Sequence, residues 1–529
     1  MDRRALLRIV PSATLATLAA PRIGRAQPAR PLRFVPQADL AILDPGLTTA
    51  TVTRNHGFTV FDTLYSLDAA GNPVPEMVEG HQVDDDGRSW NLTLREGLRF
   101  HDGAPVRASD CVASIRRWAR RDPFGKTLMA TTDELTATGE RSLRFSLKKS
   151  FPLLPQALAK TTPYCPFIYP ERLIPADPAA AMTEIVGSGP FRFLPGERVP
   201  GARVVYARAD TYVPRANGTP GLSSGPKIAN FDRIEWQVIP DAATALAAIQ
   251  AGEVDWWERP IPDLIPSIRG NPDLKAEVTN KSGTVVFLQF NHLYPPFDNR
   301  AVRRLVLSVI DQGEFADAIG GSDPALHGGR TGLFLPGGPM ATDAGLDAMK
   351  GRRDFDAVRR ELAAAGYKGE RVVMLVGTDS PVNNAASEVA GDLLRKMGFN
   401  LDYQSMDWGS VVQKRTSQQP TDKGGWSVFA VSADGDYFND PTVVPAIRAN
   451  GKDAWIGWPD SPRIEALYAD WFAAPDLAAR KSVARELQLQ TLSDVTWIPL
   501  AQVFLPTVVR RTISGVLPGF AKFWNVRRE

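Results

Sequence analysis

The chain has 529 residues, 43% of them hydrophobic and 23% charged, which is the make-up of a globular protein large enough for two or three cores. The 61 basic and 59 acidic residues nearly balance, and Arg3, Arg4, Arg8, Arg22 and Arg25 crowd the first 26 positions, so the remainder is slightly acidic. That excludes the basic footprint of a nucleic-acid binder, and the composition excludes disorder, collagen and coiled coil.

The N-terminus has the three parts of an export signal: a basic start, an apolar run from Ile9 to Ala20, and small residues at Gly24-Arg25-Ala26. The run is too short for a stable membrane anchor. Arg3-Arg4-Ala5-Leu6-Leu7-Arg8 resembles the twin-arginine export motif, and residues 1–26 are expected to be removed. No cysteine lies near that point to carry a lipid, so a freely soluble periplasmic protein is expected. Cys111 and Cys165 are the only cysteines; the oxidising compartment would let them pair, but Cys111 reads as a core-facing free thiol.

Gln82-Val83, Asp84-Asp85-Asp86-Gly87 and Trp90 to Leu94 read as a hairpin. The acidic cluster lacks the spacing of a calcium loop. His101-Asp102-Gly103 is a further turn, and Ser109-Asp110 is expected to cap a helix with Val112, Ile115 and Trp118 on its buried face. From Asp122 to Pro200 prolines are frequent, predicting short helices joined by loops. Gly187-Ser188-Gly189 lacks the third glycine of a dinucleotide fingerprint, Arg192 standing there, and Gly125-Lys126-Thr127 lacks the earlier glycine of a phosphate loop, Arg120 standing there.

Ile234 to Val238 reads as a strand, followed by a helix opened by Pro240-Asp241 and ended by Gly252. Val285 to Phe290 is a buried strand, and Val302, Leu305, Val306 and Val309 mark a helix from Asn299 to Ile310. The clearest α/β unit follows: a helix bearing Phe355, Val358 and Leu362, the apolar strand Val372 to Val376, a helix bearing Val389, Leu393 and Met397, then Phe399 to Tyr403 as a strand. That order predicts a parallel pair with a right-handed crossover. Thr496 to Trp524 is strand-like and is expected to complete an earlier sheet.

In this order the elements resemble the extracytoplasmic solute-binding proteins of family 5, which includes dipeptide, oligopeptide and nickel receptors of ABC transporters. The resemblance rests first on Phe61-Asp62-Thr63-Leu64, Asp68 to Pro75, Trp90, Leu94 to Gly103, Pro105 and Ala108-Ser109-Asp110. It continues through Gly187 to Phe191, Ile239-Pro240-Asp241, Ala251 to Asp255, Phe290-Asn291, Pro296-Phe297-Asp298 and Ala363 to Tyr367.

The resemblance implies an α/β, two-lobed periplasmic binding protein of type II, in the large cluster with an inserted subdomain. It assigns residues 27–59, 187–284 and 495–529 to the first lobe, 60–186 to the subdomain and 285–494 to the second lobe. Two crossing segments join the lobes, placed near Val285–Asn291 and Asp494–Leu500. It further implies a monomer that closes on a peptide-like or other small polar solute and delivers it to the permease subunits of an ABC importer. No catalytic residue, cofactor, resident metal or nucleic-acid partner is expected.

In peptide-binding relatives a second-lobe aspartate receives the ligand's ammonium; here Asp434 stands first for that role and Asp436 next. Where oligopeptide receptors carry a carboxylate-binding arginine, this sequence has Val428. Trp408, Trp426 and Trp455 are further candidates for the cleft, as is Asn291. The alternatives are an exported hydrolase, a sensory or chaperone partner, or a receptor for a metal chelate, an opine or haem. A hydrolase is disfavoured because no nucleophile motif is present and the five histidines, at 56, 81, 101, 292 and 327, have no metal-like spacing.

Overall fold

The apolar run Val372 to Val376 needs cover on both faces, and a computed structural model, which describes residues 30–529, supplies it. Val372, Met374 and Val376 enter one buried cluster and Val373 and Leu375 another. The strand Arg371–Gly377 pairs in parallel with Asn400–Met406 across the helix Pro381–Met397, as strand-helix-strand order dictates. The full sheet runs Asn400–Met406, Arg371–Gly377, Val428–Asp434, Thr284–Phe290, Trp497–Val503. The export signal expected over residues 1–26 lies outside the described residues.

A second large sheet forms the other lobe. Its seven strands run in the order Leu274–Glu277, Thr507–Arg510, Trp256–Trp257, Leu32–Val35, Arg233–Gln237, Arg203–Arg208, Phe191–Phe193. The segments expected to cross between lobes, 285–291 and 494–500, are instead mostly strand within the five-stranded sheet. The chain passes from one sheet to the other at 278–283 and again at 504–506. Trp497–Val503, assigned by sequence to the first lobe, therefore belongs to the second. Its seven residues are all buried, which requires a sheet neighbour and cover.

The hairpin Val78–Val83 and Ser89–Leu94 forms as expected, turning at Gly87, whose φ is +68°. Asp86 spends its oxygens on the backbone and side chain of Arg88. The region read as helices and loops contains a second hairpin, Thr132–Ala137 and Ser142–Leu147, that completes a four-stranded sheet. Leu143, Phe145 and Leu147 alternate with polar residues there, a period-two signal among the prolines. The helix expected to be capped by Ser109-Asp110 begins earlier, spanning Ala108–Ala119. Asp110 sits in its first turn and accepts a hydrogen bond from the Arg107 N–H at 2.8 Å. Cys111 and Cys165 are separate buried thiols, the latter pushed up to about 12 by burial.

Gly187 and Gly189 have a packing reason. A Cβ on Gly187 would stand 2.0 Å from the Val60 carbonyl oxygen, and the Gly189 N–H donates to that same oxygen at 2.9 Å. His101 closes the joint: its backbone N–H donates to Gly187 O at 2.8 Å and its Nε2 meets Gly189 O at 2.9 Å. Burial lowers the His101 pKa to about 4.

Burial does the same to His56 and His292, each lowered to about 3. All three are neutral when folded and gain a proton more readily when unfolded, so stability falls as pH drops below the ordinary histidine value of 6.5. Each contributes up to about 1.4 kcal/mol per pH unit. Urea midpoints measured at about pH 7 and about pH 5 should show this loss; equal midpoints would contradict it.

Candidate functional site

The stretch Trp408-Gly409-Ser410-Val411-Val412-Gln413-Lys414-Arg415 places Trp408, Val411, Val412 and Arg415 on one helical face by spacing. The helix Trp408–Lys414 forms, its N-terminus capped by Asp407, which accepts from the Ser410 N–H at 2.9 Å. That face is buried, and it carries the Arg415 guanidinium in with the tryptophan. Arg415 is 2% exposed.

The surroundings of Arg415 are aromatic. Its guanidinium carbon lies 5.6 Å from the ring centre of Trp408, 5.7 Å from Phe429 and 5.9 Å from Trp455. Nη2 stands 3.4 Å from Thr49 Oγ1, a residue of the opposite lobe, and Nε has no hydrogen-bond partner among the described residues. Burial lowers its pKa to about 10, with Tyr164 opposing the shift, so it stays charged at neutral pH.

Arg415 faces a cleft between the lobes. The second lobe contributes Phe287, Trp408, Tyr437, Phe438 and Trp455, and the first contributes Gln37, Ala38 and Thr49 to Val52. The space, counted with its opening to solvent, is about 660 Å³. Two helices begin at its wall. Thr51–Val60 has Ala50 at its N-cap, and Pro381–Met397 has Ser380, whose side chain makes no capping bond. Asn383, in the second helix's first turn, also lines the cleft and leaves Oδ1 unpaired among the described residues. Unfilled N–H groups at a helix start present partial positive charge. Arg415 is the one charged side chain among the described residues that line this space.

Asp434 ends the strand Val428–Asp434 at the level of the crossing segments, 2% exposed. Both its oxygens are occupied from the first lobe: Arg54 Nη2 lies 2.6 Å from Oδ2 and Arg259 Nη2 lies 2.7 Å from Oδ1. Burial pushes this carboxyl up, and the two arginines outweigh it, holding it below the ordinary value. Arg54 also stacks on Phe520 at 4.3 Å. Asp436, in the turn Gly435–Phe438, is pushed up by burial and by Asp434.

Of the residues singled out from sequence, the structure brings Trp408 and Trp455 together at the cleft. Trp426 and Asn291 stand in the second lobe's interior instead. Trp426 is 1% exposed and packs against Phe429 and Trp458, while the Asn291 Nδ2 donates to the Trp426 carbonyl at 2.9 Å. Val428 points into the core beneath the sheet. Asp434 and Asp436 are outside the residues lining the cleft. Sequence reasoning passed over Arg54, Arg259 and Arg415. For Arg415 a signal existed, a charge on the stripe of Trp408, Val411 and Val412; Arg54 and Arg259 carry none, because their partner is 380 and 175 residues away.

The family model for bacterial extracellular solute-binding proteins, family 5 Middle, matches residues 72–455. A probable peptide ABC transporter periplasmic-binding protein of Sinorhizobium fredii is 34% identical over 97% of both chains. An oligopeptide-binding protein of Bacillus subtilis is 23% identical over 81% of both. Among solved structures, the ABC transporter-associated periplasmic binding protein DppA of Helicobacter pylori in complex with the peptide STSA superposes with a TM-score of 0.77 at 17% identity, covering 94% of this chain and 98% of that one. The Escherichia coli murein tripeptide binding protein gives 0.74 at 18% identity, with 94% and 98% covered.

Proposed function

Since the chain belongs to the bacterial extracellular solute-binding proteins, family 5, we propose that it is the periplasmic receptor of an ABC importer, capturing a peptide-like or other small polar solute and presenting it to the permease. The observation that carries this reading is a cleft whose walls come from both lobes, on sheets connected only at 278–283 and 504–506. A ligand there touches both walls only when they are together, so its binding energy favours the closed form over the open one. The described residues contain no helix long and apolar enough to cross a membrane. Among the described residues lining the cleft, none makes a nucleophile-base pair, which favours capture over turnover.

Thermal-shift screening of dipeptides, longer peptides, opines and metal chelates should find one stabilising class. At a hundredfold excess over Kd the gain is about 2.7 kcal/mol. Small-angle scattering of the same complex should show a smaller radius of gyration. Turnover of a peptide or ester that survives repurification would sink the receptor reading, as would tight binding without compaction.

A further inference from the structure

Around Arg415 the cleft is one-sided in charge. Its described lining offers one buried guanidinium, Arg415, and no carboxylate. The Arg415 Nε lacks a partner, and its salt-bridging role is unfilled among the described residues. The uncapped start of Thr51–Val60 adds N–H groups on the facing wall. Thr49, next to that start, already lies 3.4 Å from the guanidinium, so the two positive features converge from opposite lobes.

Two of the nearby acids are committed elsewhere. Asp434 gives both oxygens to Arg54 and Arg259, and Asp379, beside Ser380, accepts the Trp408 N–H at 2.6 Å. The remaining surface is largely aromatic and apolar: Trp408, Trp455, Phe287 and Phe438.

We propose that the ligand is an anion, a carboxylate on an apolar or aromatic body, whose carboxylate is held between Arg415 and the first N–H groups of the helix Thr51–Val60. Among the described residues lining the space around Arg415, no carboxylate stands ready to receive a ligand ammonium. The inference rests on the receptor reading and narrows it to a class. A buried guanidinium with no carboxylate partner among the described residues is costly to keep, and a ligand carboxylate supplies the missing charge in fork geometry. Because the anion is gripped from both lobes, the same contact that neutralises Arg415 also favours closure.

The test uses matched sets on tryptophan, phenylalanine and leucine bodies: N-acetyl acids, amino-acid amides with a free ammonium, and doubly capped forms. Each is offered at about 10 mM, enough to detect millimolar affinity. The expected result is stabilisation by N-acetyl acids alone. Arg415→Met should then weaken binding by about a hundredfold or more, while its own unliganded melting temperature holds or rises, a readout that a merely structural arginine would lower. Arg415→Lys, which keeps charge without the fork, should bind with intermediate affinity. Stabilisation by the amides, full affinity in Arg415→Met, or silence of the whole panel would overturn the proposal. Compaction on an ammonium-bearing peptide would overturn this inference and leave the receptor reading standing; binding of an N-acetyl acid without compaction would do the reverse.

Discussion

Replacing Asp434 with asparagine should destabilise the protein by about 3–5 kcal/mol, because it strips the counter-charge from one buried and one partly buried arginine at once. Arg54 and Arg259 reach Asp434 at 2.6 and 2.7 Å from the first lobe, and the side chains of Arg54 and Asp434 are only 4% and 3% exposed. Urea denaturation measures the loss. Arg54→Met and Arg259→Met introduced together with Asp434→Asn should recover part of it, since no guanidinium then faces the missing carboxylate, while Glu258 and Asp436 lose the arginine charge that favours their ionised forms. The pH dependence has a definite sign. The folded carboxyl lies below its ordinary value of 3.8, so its contribution is present above that value and is lost as pH falls through the lower folded one. The variant's deficit should therefore shrink in strong acid. A variant with unchanged stability and a loss confined to ligand affinity would show that Asp434 faces the ligand rather than the two arginines.

Lys227→Met should cost a similar amount, about 3–5 kcal/mol at neutral pH, for the opposite reason. Lys227 lies 2.6 Å from Asp62 and 3.9 Å from Glu76, and all three are at most 1% exposed. Without the ammonium, two carboxylates face each other in the interior. Burial disfavours the charge on Lys227, but Asp62 and Glu76 outweigh it and raise the pKa. Its stabilisation is thus complete below the ordinary lysine value of 10.5 and is lost only as pH rises through the higher folded one. Glu76 is already raised by burial, opposed by Lys227. In the variant that opposition is gone, so Glu76 takes a proton more easily and the deficit should narrow as pH falls. A deficit independent of pH, in urea titrations across that range, would contradict this account.

Asp62 also shows what the sequence could reveal. It stands in Phe61-Asp62-Thr63-Leu64, part of the block that carries the family resemblance, but its partner lies 165 positions away. Periodicity found the strand Arg371–Gly377 and the helix Pro381–Met397 because both have packed faces that repeat locally. It missed the hairpin of Thr132–Ala137 and Ser142–Leu147, whose first strand has Leu135 as its one large apolar residue. The crossing at 504–506 was misplaced because Phe504-Leu505-Pro506 follows an apolar strand without a polar break. Trp408 and Trp455, singled out in the sequence as large aromatics, line the cleft, the first of them at the start of a helix rather than in a loop. The commitment of Asp434 to two arginines was not legible, since ion pairing across lobes leaves no mark in local spacing.

The last crossing also constrains the order in which the protein can become native. Trp497–Val503 supplies one edge of the five-stranded sheet, pairing with residues some two hundred positions earlier, and Thr507–Arg510 is the strand that joins Leu274–Glu277 to the rest of the seven-stranded sheet. Contacts so distant in sequence carry a large loop-closure cost and form late. A chain shortened before Trp497 would lack both, leaving two incomplete sheets with open edges prone to mispairing. Although the first lobe contains the earliest strand, its sheet lacks Thr507–Arg510 until the whole of the second lobe has been synthesised.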